Sequence, residues 1–483
     1  MVGITGFGAY IPRRRLQRAA VVEANKWANP GLASLAKGER SMANWDEDSV
    51  TLAVEAARDC LAGADRGAIG HISLASTTLP FTDRQNAGIV ATALSLPAGI
   101  GALDIGGSQR AGSSALIGAL GSAHSGTHLC VAADKRQARP GSVQELNYGV
   151  GAAALTVGDS ANGGVLAEFI GHHSITEDFV DHYRAEGRKF DYFWEERWIR
   201  QEGHLKLIPA AVTGLLEKTG VDAGAIDRLI VPVMSRGAPL GVAKATGIAA
   251  EAVADTLQAN CGETGVAHPL IMLVAALEAA APGEKILVCG FGQGCDALLF
   301  ETTEALAAYP ARRGVAGSLE RRHEETNYIR YLTFNGLLEM ERGMRAEQDK
   351  QTALTTLHRN RDMLLGFIGG RCTKCGILQI PKTRICVNPN CGAYNTQVDE
   401  HFSEKPASVM SWTADQLAYS MDPPAHYGMV NFEGGGRLMV DFTDVDPGAV
   451  DVDMPVRMVF RIKDFDEKRG FIRYFWKASP ADA

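Results

Sequence analysis

Residues 63–76, GADRGAIGHISLAS, and residues 220–233, GVDAGAIDRLIVPV, align without a gap and share Gly, Asp, Gly, Ala and Ile in register. This internal repeat constrains the fold more than any single motif. Each copy follows an amphipathic segment, VTLAVEAARDCL (50–61) or LIPAAVTGLLEK (207–218), and opens an apolar, β-rich run. Some sixty residues later a second matched pair begins, THLCVAADK (127–135) and EKILVCGFGQG (284–294), leading to GAAALTVGD and DALLFE. Strands that alternate with helical patterns read as parallel α/β units. Two copies predict a duplicated α/β core over about 1–305, with halves at 1–165 and 166–305.

Beyond residue 305 the composition changes. Arg, Glu and Leu recur with helical spacing, as in YLTFNGLLEMERGMRAEQDKQTALTTLHRNRDMLL, so 306–365 is expected to be a helical connector. Next comes CTKCGILQIPKTRICVNPNCG, in which Cys372, Cys375, Cys386 and Cys391 are spaced C-x2-C-x10-C-x4-C. Each pair is a knuckle whose sulfurs can converge on one tetrahedral ion, and Gly376 and Gly392 permit the tight turns. Four thiolates leave no open position, so a structural Zn2+ site is expected in a ribbon over 366–398. Such a metal supplies on the order of 10 kcal/mol of folding energy. From 399 to 483, short strands such as YGMVNFEGG, GRLMVDFTD, MPVRMVFRIK and FIRYFWKA are separated by turn residues, as in a small β-barrel.

Charge and cysteine usage narrow the function classes. The net charge of -8 argues against a nucleic-acid binder. The barrel segment, 401–483, itself carries nine Lys/Arg against thirteen Asp/Glu and so lacks a basic track. The most apolar run, LIMLVAALEAAA, is too short to span a bilayer and carries Glu278, so it reads as a buried helix. Nine cysteines, four of them clustered, do not form a secreted disulfide framework, and the first residues show no apolar signal core. A cytoplasmic protein without membrane or nucleic-acid partners is expected.

The stretches NWDEDSVTLAVEAAR (44–58), ARPGSVQELNYGVGAAAL (138–155), APLGVAKATG (238–247) and GFGQGCDALLFE (290–301) together resemble the thiolase superfamily. Within it they are most similar to the hydroxymethylglutaryl-CoA synthase and ketosynthase III branch. The cysteine pattern, together with YGMVNFEGGGRLMVDFTD (427–444), resembles the zinc-ribbon OB-fold proteins that accompany thiolases. The resemblance implies a duplicated thiolase fold of five layers, αβαβα, then the connector, the ribbon and an OB-type barrel. It also implies a coenzyme A thioester as substrate and at least a dimer, with a thiolase-family protein as a possible partner.

At the positions where that family holds its chemistry, this chain departs from it. The nucleophilic cysteine belongs where DIGGSQRAGSSAL has Gln109; the synthase glutamate belongs where ASTTLPFTD has Thr77. The histidine position falls on Pro232, and the asparagine becomes Glu263 in CGETG. Loss of the nucleophile removes an acyl-enzyme route. What survives such a loss is an oxyanion hole of backbone N–H groups, which the resemblance places at Gln109 and in the turn around Gly292. An aldol or retro-aldol step on a CoA thioester needs that enolate stabilisation and no acyl-enzyme. Candidate replacements follow. Glu263 is a general base if its pocket raises its pKa, or else a paired carboxylate. Tyr192, in the aromatic FDYFWEERW, is a proton donor to an aldolate or plain covering of the site. Arg110 and His268 are candidate substrate contacts, and Cys261, Cys289 and Cys295 are relocated thiols or core residues. Two alternatives stay open: a non-catalytic acyl-CoA-binding scaffold working with a thiolase, and a hydroxymethylglutaryl-CoA synthase-like acyltransferase.

Overall fold

The computed structural model describes residues 1–160 and 164–481, which divide into two compact units. The first unit holds 1–43, 48–91 and 96–337; the second holds 44–47, 92–95 and 338–483.

Duplication is written into the first unit's strand pairing. The first copy runs β1 (Val2–Tyr10), α1 (Ser49–Cys60), β2 (Ile69–Ala75), β3 (Gly101–Ile105), α2 (Ala111–Gly121), β4 (Thr127–Lys135) and β5 (Val150–Asp159). The second runs β6 (Ala167–Thr176), α3 (Leu207–Thr219), β7 (Arg228–Ile230), α4 (His268–Ala279), β8 (Lys285–Phe291) and β9 (Gly294–Thr302). In the first copy β5 pairs antiparallel with both β1 and β4, and β2 pairs parallel with both β4 and β3. The second copy repeats this: β9 is antiparallel to β6 and β8, and β7 is parallel to β8. The place of β3 is taken by a single parallel bridge between Leu229 and Val253. A short antiparallel contact between β1 and β6 joins the copies into one nine-stranded ladder, β7-β8-β9-β6-β1-β5-β4-β2-β3.

The helices complete the layers. Helix α1 begins with a reciprocal capping box between Asp48 and Thr51 and packs on β1, β4 and β5, while α3 packs on β6 and β9. Helices α2 and α4 touch each other and strands of both copies, and so form the central layer of an αβαβα stack. A central layer meets apolar surface on both sides, which is why α4 buries every residue from His268 to Val274. The run LIMLVAALEAAA is therefore a core helix, and no helix among the described residues is long and apolar enough to cross a membrane.

The expected connector is not one element. Residues up to 337 belong to the first unit, where the segment His323–Glu325 pairs in parallel with Arg14–Gln17. From 338 the chain belongs to the second unit, and up to 365 its helices are short: a 3-10 turn at Met344–Ala346, then Leu354–Arg359 and Arg361–Leu364. Helical spacing misled here because 340–352 has no apolar face to bury; Met340 and Met344 are exposed.

In the second unit, β10 (Ile368–Cys372), β11 (Leu378–Gln379) and β12 (Gln397–His401) form a three-stranded ribbon. Strands β13 (Ala407–Asp415), β14 (Ala425–Phe432), β15 (Arg437–Asp441), β16 (Pro455–Asp466) and β17 (Phe471–Pro480) form a sheet ordered β15-β14-β13-β16-β17. A parallel bridge between Phe442 and Ala478 closes the sheet on itself, giving the OB-type barrel. Trp476 fills its interior, stacked on Phe367, with the indole N–H donating to the Leu365 carbonyl at 2.7 Å. A buried ion network completes the unit: Arg461 donates to Asp444 at 3.0 Å and pairs with Glu47 at 3.1 Å, and Lys477 donates to Asp46 at 2.8 Å. The acidic part of the NWDED motif is thus consumed in structure.

Candidate active site

A cavity of about 270 Å³ lies in the first unit at the carboxyl ends of its parallel strands. Gln109 follows β3, Arg136 follows β4, Pro232 to Ser235 follow β7, and Phe291 ends β8; all line it. Open α/β sheets place ligands at such ends because the loops that leave the strands diverge there. Glu263 and Gly265 enter from the loop before α4. Close packing sets the position of that loop: a Cβ on Gly112 would stand 2.2 Å from the Val266 carbonyl oxygen.

Three of the four positions singled out by the resemblance, Gln109, Pro232 and Glu263, line this cavity. The fourth, Thr77, is reached by the Gln109 side-chain amide at 3.5 Å. Beneath them Asp134 is a buried hub. It accepts hydrogen bonds from the Ser76 hydroxyl (2.9 Å), the Thr77 N–H (2.9 Å) and hydroxyl (3.0 Å), the Thr78 hydroxyl (2.9 Å) and the Val266 N–H (3.0 Å). A carboxylate with five donors is well compensated for burial.

Glu263 is a paired carboxylate. Its Oε2 accepts from Arg136 at 2.8 Å and its Oε1 from the Gly265 N–H at 2.9 Å. Arg136 also donates to Asp191 at 2.7 Å and to the Tyr148 hydroxyl at 2.5 Å, with its guanidinium 3.9 Å from the Tyr148 ring centroid. Burial opposes charge on Arg136, but Tyr148, Glu263, Asp191 and Asp134 outweigh it and raise its pKa further. Asp191 is likewise held below the usual carboxylate range: burial pushes it up, and Arg136 and Arg184 overcome that. The general-base expectation for Glu263 gives way to this ion network.

Other expected site residues are placed elsewhere. Arg110 turns away, donating to the Ile175 carbonyl at 2.7 Å and the Thr176 hydroxyl at 2.9 Å. His268 is fully buried at the start of α4, where its Nδ1 meets the Thr264 hydroxyl at 3.1 Å; the neighbouring Pro269 lines the cavity instead. Tyr192 lies in a hairpin in which strand alternation turns Phe193 inward and leaves Tyr192 53% exposed. Cys261, Cys289 and Cys295 are wholly buried, and none lines the cavity. Burial pushes the Cys261 thiol up to about 12, which is the behaviour of a core thiol.

The backbone around Gln109 is more informative. Gly292 N–H is committed to the Gly294 carbonyl at 3.0 Å, so that member of the expected oxyanion hole donates within its own turn. Gln109 N–H has no acceptor among the described residues. Gly292 packs directly on this turn: a Cβ there would stand 2.7 Å from Ser108 Oγ, 2.8 Å from the Arg110 nitrogen and 3.0 Å from the Gln109 nitrogen.

Two histidines of this cavity carry no motif in the sequence. His182 and His204 both line it, with Asp181 and Ser235. His204 ends a π-helical turn, Ile199–His204, a distortion frequent at functional sites. Its Nδ1 meets Ser235 at 3.1 Å, and burial pushes its pKa down to about 4 against a small opposing effect of Asp181.

In the second unit the four cysteines converge: their sulfurs all lie within 4.8 Å of one another, with Cys375 and Cys386 at 3.5 Å. Gly376 and Gly392 adopt positive φ, 76° and 50°, as the knuckle turns require.

Comparison with known proteins agrees with this architecture. The hydroxymethylglutaryl-CoA synthase of Aeropyrum pernix is 34% identical over 345 residues, spanning 70% of this chain and 94% of that protein. That of Methanopyrus kandleri is 32% identical over 342 residues, spanning 68% and 95%. This chain belongs to the hydroxymethylglutaryl-CoA synthase family. A family model described as 3-oxoacyl-(acyl-carrier-protein) synthase III C terminal matches residues 216–300, and one described as ChsH2, C-terminal OB-fold domain, matches 400–461. A solved hydroxymethylglutaryl-CoA synthase complexed with CoA shares the fold at a TM-score of 0.59 and 16% identity, over 73% of this chain and 95% of that one. The hydroxymethylglutaryl synthase of the curacin biosynthetic pathway does so at 0.57 and 19%, over 69% and 88%.

Proposed function

We propose that this protein makes or breaks a carbon–carbon bond beside the carbonyl of an acyl-CoA, in an aldol or retro-aldol sense, without an acyl-enzyme. The observation that carries this reading is the open Gln109 N–H at a cavity that no thiol lines. A fixed amide donor stabilises a thioester enolate, and one such donor is worth about 3–4 kcal/mol. Relatives named for hydroxymethylglutaryl-CoA, and one solved with CoA bound, support a CoA thioester as the ligand. The locked Arg136–Glu263 pair favours a second reading, an acyl-CoA-binding scaffold that works with a thiolase partner.

The cysteine cluster fits a structural Zn2+. Four sulfurs at bond lengths near 2.3 Å define a tetrahedron with edges of about 3.8 Å, close to the spacing here. Cys372, Cys375, Cys386 and Cys391 would hold the ion and tie the ribbon's two knuckles together.

Purified full-length protein is incubated with hydroxyacyl-, oxoacyl- and malonyl-CoA esters and the products are read by mass spectrometry. Release of a shorter CoA ester from the hydroxyacyl esters is expected. Binding without turnover, followed by turnover on adding a co-purifying thiolase, would favour the scaffold. An acyl group retained on a cysteine would overturn both.

A further inference from the structure

The hairpin at the cavity rim pairs His182–Tyr183 with Tyr192–Phe193, in the register Phe193 to His182 and Tyr192 to Tyr183. Side chains alternate across a strand, so His182 and Phe193 face the cavity while Tyr183 and Tyr192 stay outside. The hairpin is anchored where the chemistry would occur. Arg184 pairs with Asp191 at 2.8 Å and also donates to the Thr77 carbonyl, and Asp191 binds Arg136.

Within it the His182 ring is fixed on two sides. It stacks on Phe193, with centroids 5.0 Å apart and planes 15° apart, and its Nδ1 lies 2.9 Å from Asp181 Oδ2. Asp181 is buried. Desolvation pushes its carboxyl up, yet the hydrogen bond from His182 outweighs this and holds it below the usual range, so it is an ionised acceptor. An ionised carboxylate only accepts, so the neutral imidazole carries its proton on Nδ1 and presents the Nε2 lone pair. Among the described residues Nε2 has no partner, and His182 lines the cavity that Gln109 also lines. The other imidazole, His204, is occupied by Ser235 and more deeply packed, edge-on against Phe291.

We propose that Asp181 and His182 are the proton-transfer dyad of this site, and that its substrate class is the β-hydroxyacyl thioester. This rests on the C–C bond reading above and supplies the base that Glu263 does not provide. His182 Nε2 takes the proton of the β-hydroxyl, and the O–H electron pair becomes the second bond of a carbonyl. The Cα–Cβ bond breaks, and its pair passes into the thioester as an enolate whose oxygen meets the Gln109 N–H. His182 then returns the proton to Cα. The products are an aldehyde or ketone and a shortened acyl-CoA, with no oxidant, reductant or water consumed. Asp181 is the positioning residue, holding the tautomer and the ring. A β-oxoacyl ester has no hydroxyl proton to give and is not cleaved by this route.

The test compares full-length wild type with His182→Gln, His182→Ala and Asp181→Asn. Each is given matched short-chain 3-hydroxyacyl- and 3-oxoacyl-CoA esters, with products read by mass spectrometry, affinity by calorimetry and fold by circular dichroism. Wild type is expected to cleave the hydroxy esters only. His182→Gln should lower kcat at least about 100-fold with KM little changed, the size expected for a lost general base. Added imidazole should restore turnover to His182→Ala, a rescue that a purely structural histidine would not show. Asp181→Asn should lower kcat about tenfold or more without changing KM, by releasing the tautomer. Undiminished turnover in His182→Gln, or equal cleavage of oxo and hydroxy esters, overturns the dyad alone. A wild type that binds every ester and cleaves none overturns the C–C bond reading and the dyad with it.

Discussion

Replacing Arg136 by Met tests the electrostatic argument for this site. The guanidinium spans Glu263 at 2.8 Å, Asp191 at 2.7 Å and the Tyr148 hydroxyl at 2.5 Å, and its side chain is 2% exposed. Methionine matches the stem's volume but supplies no donor. Glu263 then keeps only the Gly265 N–H, whereas Asp191 keeps Arg184 and the Tyr148 hydroxyl. Removing one partner of a buried pair costs about 3–5 kcal/mol because the remaining charge stays desolvated. The contact with Tyr148 adds up to about 2 kcal/mol more. Taking about 4 kcal/mol as the total, an unfolding entropy of about 2 cal/mol/K per residue makes this a fall of about 6 °C in Tm for a unit of this size. Calorimetry of the first unit's transition measures it. The double variant Arg136→Met/Glu263→Gln neutralises the stranded carboxylate and should recover about half the loss, a coupling well beyond additivity. If Arg136→Met unfolds within about 1 kcal/mol of wild type, or if the second substitution recovers nothing, the buried-charge account of Glu263 is wrong.

Three further outcomes are expected. Gly292→Ala places a methyl 2.7 Å from Ser108 Oγ, 2.8 Å from the Arg110 nitrogen and 3.0 Å from the Gln109 nitrogen, so it must displace the 108–110 turn and should reduce turnover by about 10²–10³-fold while leaving far-UV circular dichroism intact; unchanged kcat would remove Gln109 N–H from the chemistry. His204 is neutral when folded, with its pKa pushed from 6.5 to about 4, so the stability it contributes is full above about 6.5 and is lost as pH falls towards 4, up to about 3 kcal/mol. Urea titrations at pH 7 and pH 4 should show a smaller acid loss in His204→Phe than in wild type, and equal losses would refute the assignment. Cys375→Ser should release zinc, read by elemental analysis, and abolish hydrogen-exchange protection across 366–398; retained metal would mean a different ligand set.

The sequence by itself determined the features that are local or periodic. The repeat at 63–76 and 220–233 implied two copies of one strand–helix pattern, and the strand pairing reproduces it copy for copy. The cysteine spacing and Gly376 and Gly392 specified the knuckles, because a turn of that length has few solutions. Gln109, Thr77, Pro232 and Glu263, the positions that the resemblance marks, were legible one by one, since each follows a strand or opens a helix within a few residues.

Only the tertiary structure decided which charges meet. Arg136 follows an apolar strand and reads as an ordinary turn residue, yet its three partners come from positions 148, 191 and 263. No periodicity links them. Asp181 and His182 are adjacent in sequence but carried no signal, because their meaning lies in a hairpin register that turns one imidazole inward and two tyrosines outward. Arg110 adjoins Gln109 in sequence, His268 sits in a His-Pro pair and Tyr192 in an aromatic cluster, but the local backbone directs Arg110 to Ile175, buries His268 and leaves Tyr192 on the outer face of its strand. Chain-local interactions fix turns, caps and strand faces, whereas an encounter such as Arg136 with Glu263, over a hundred residues apart, depends on how completed layers stack.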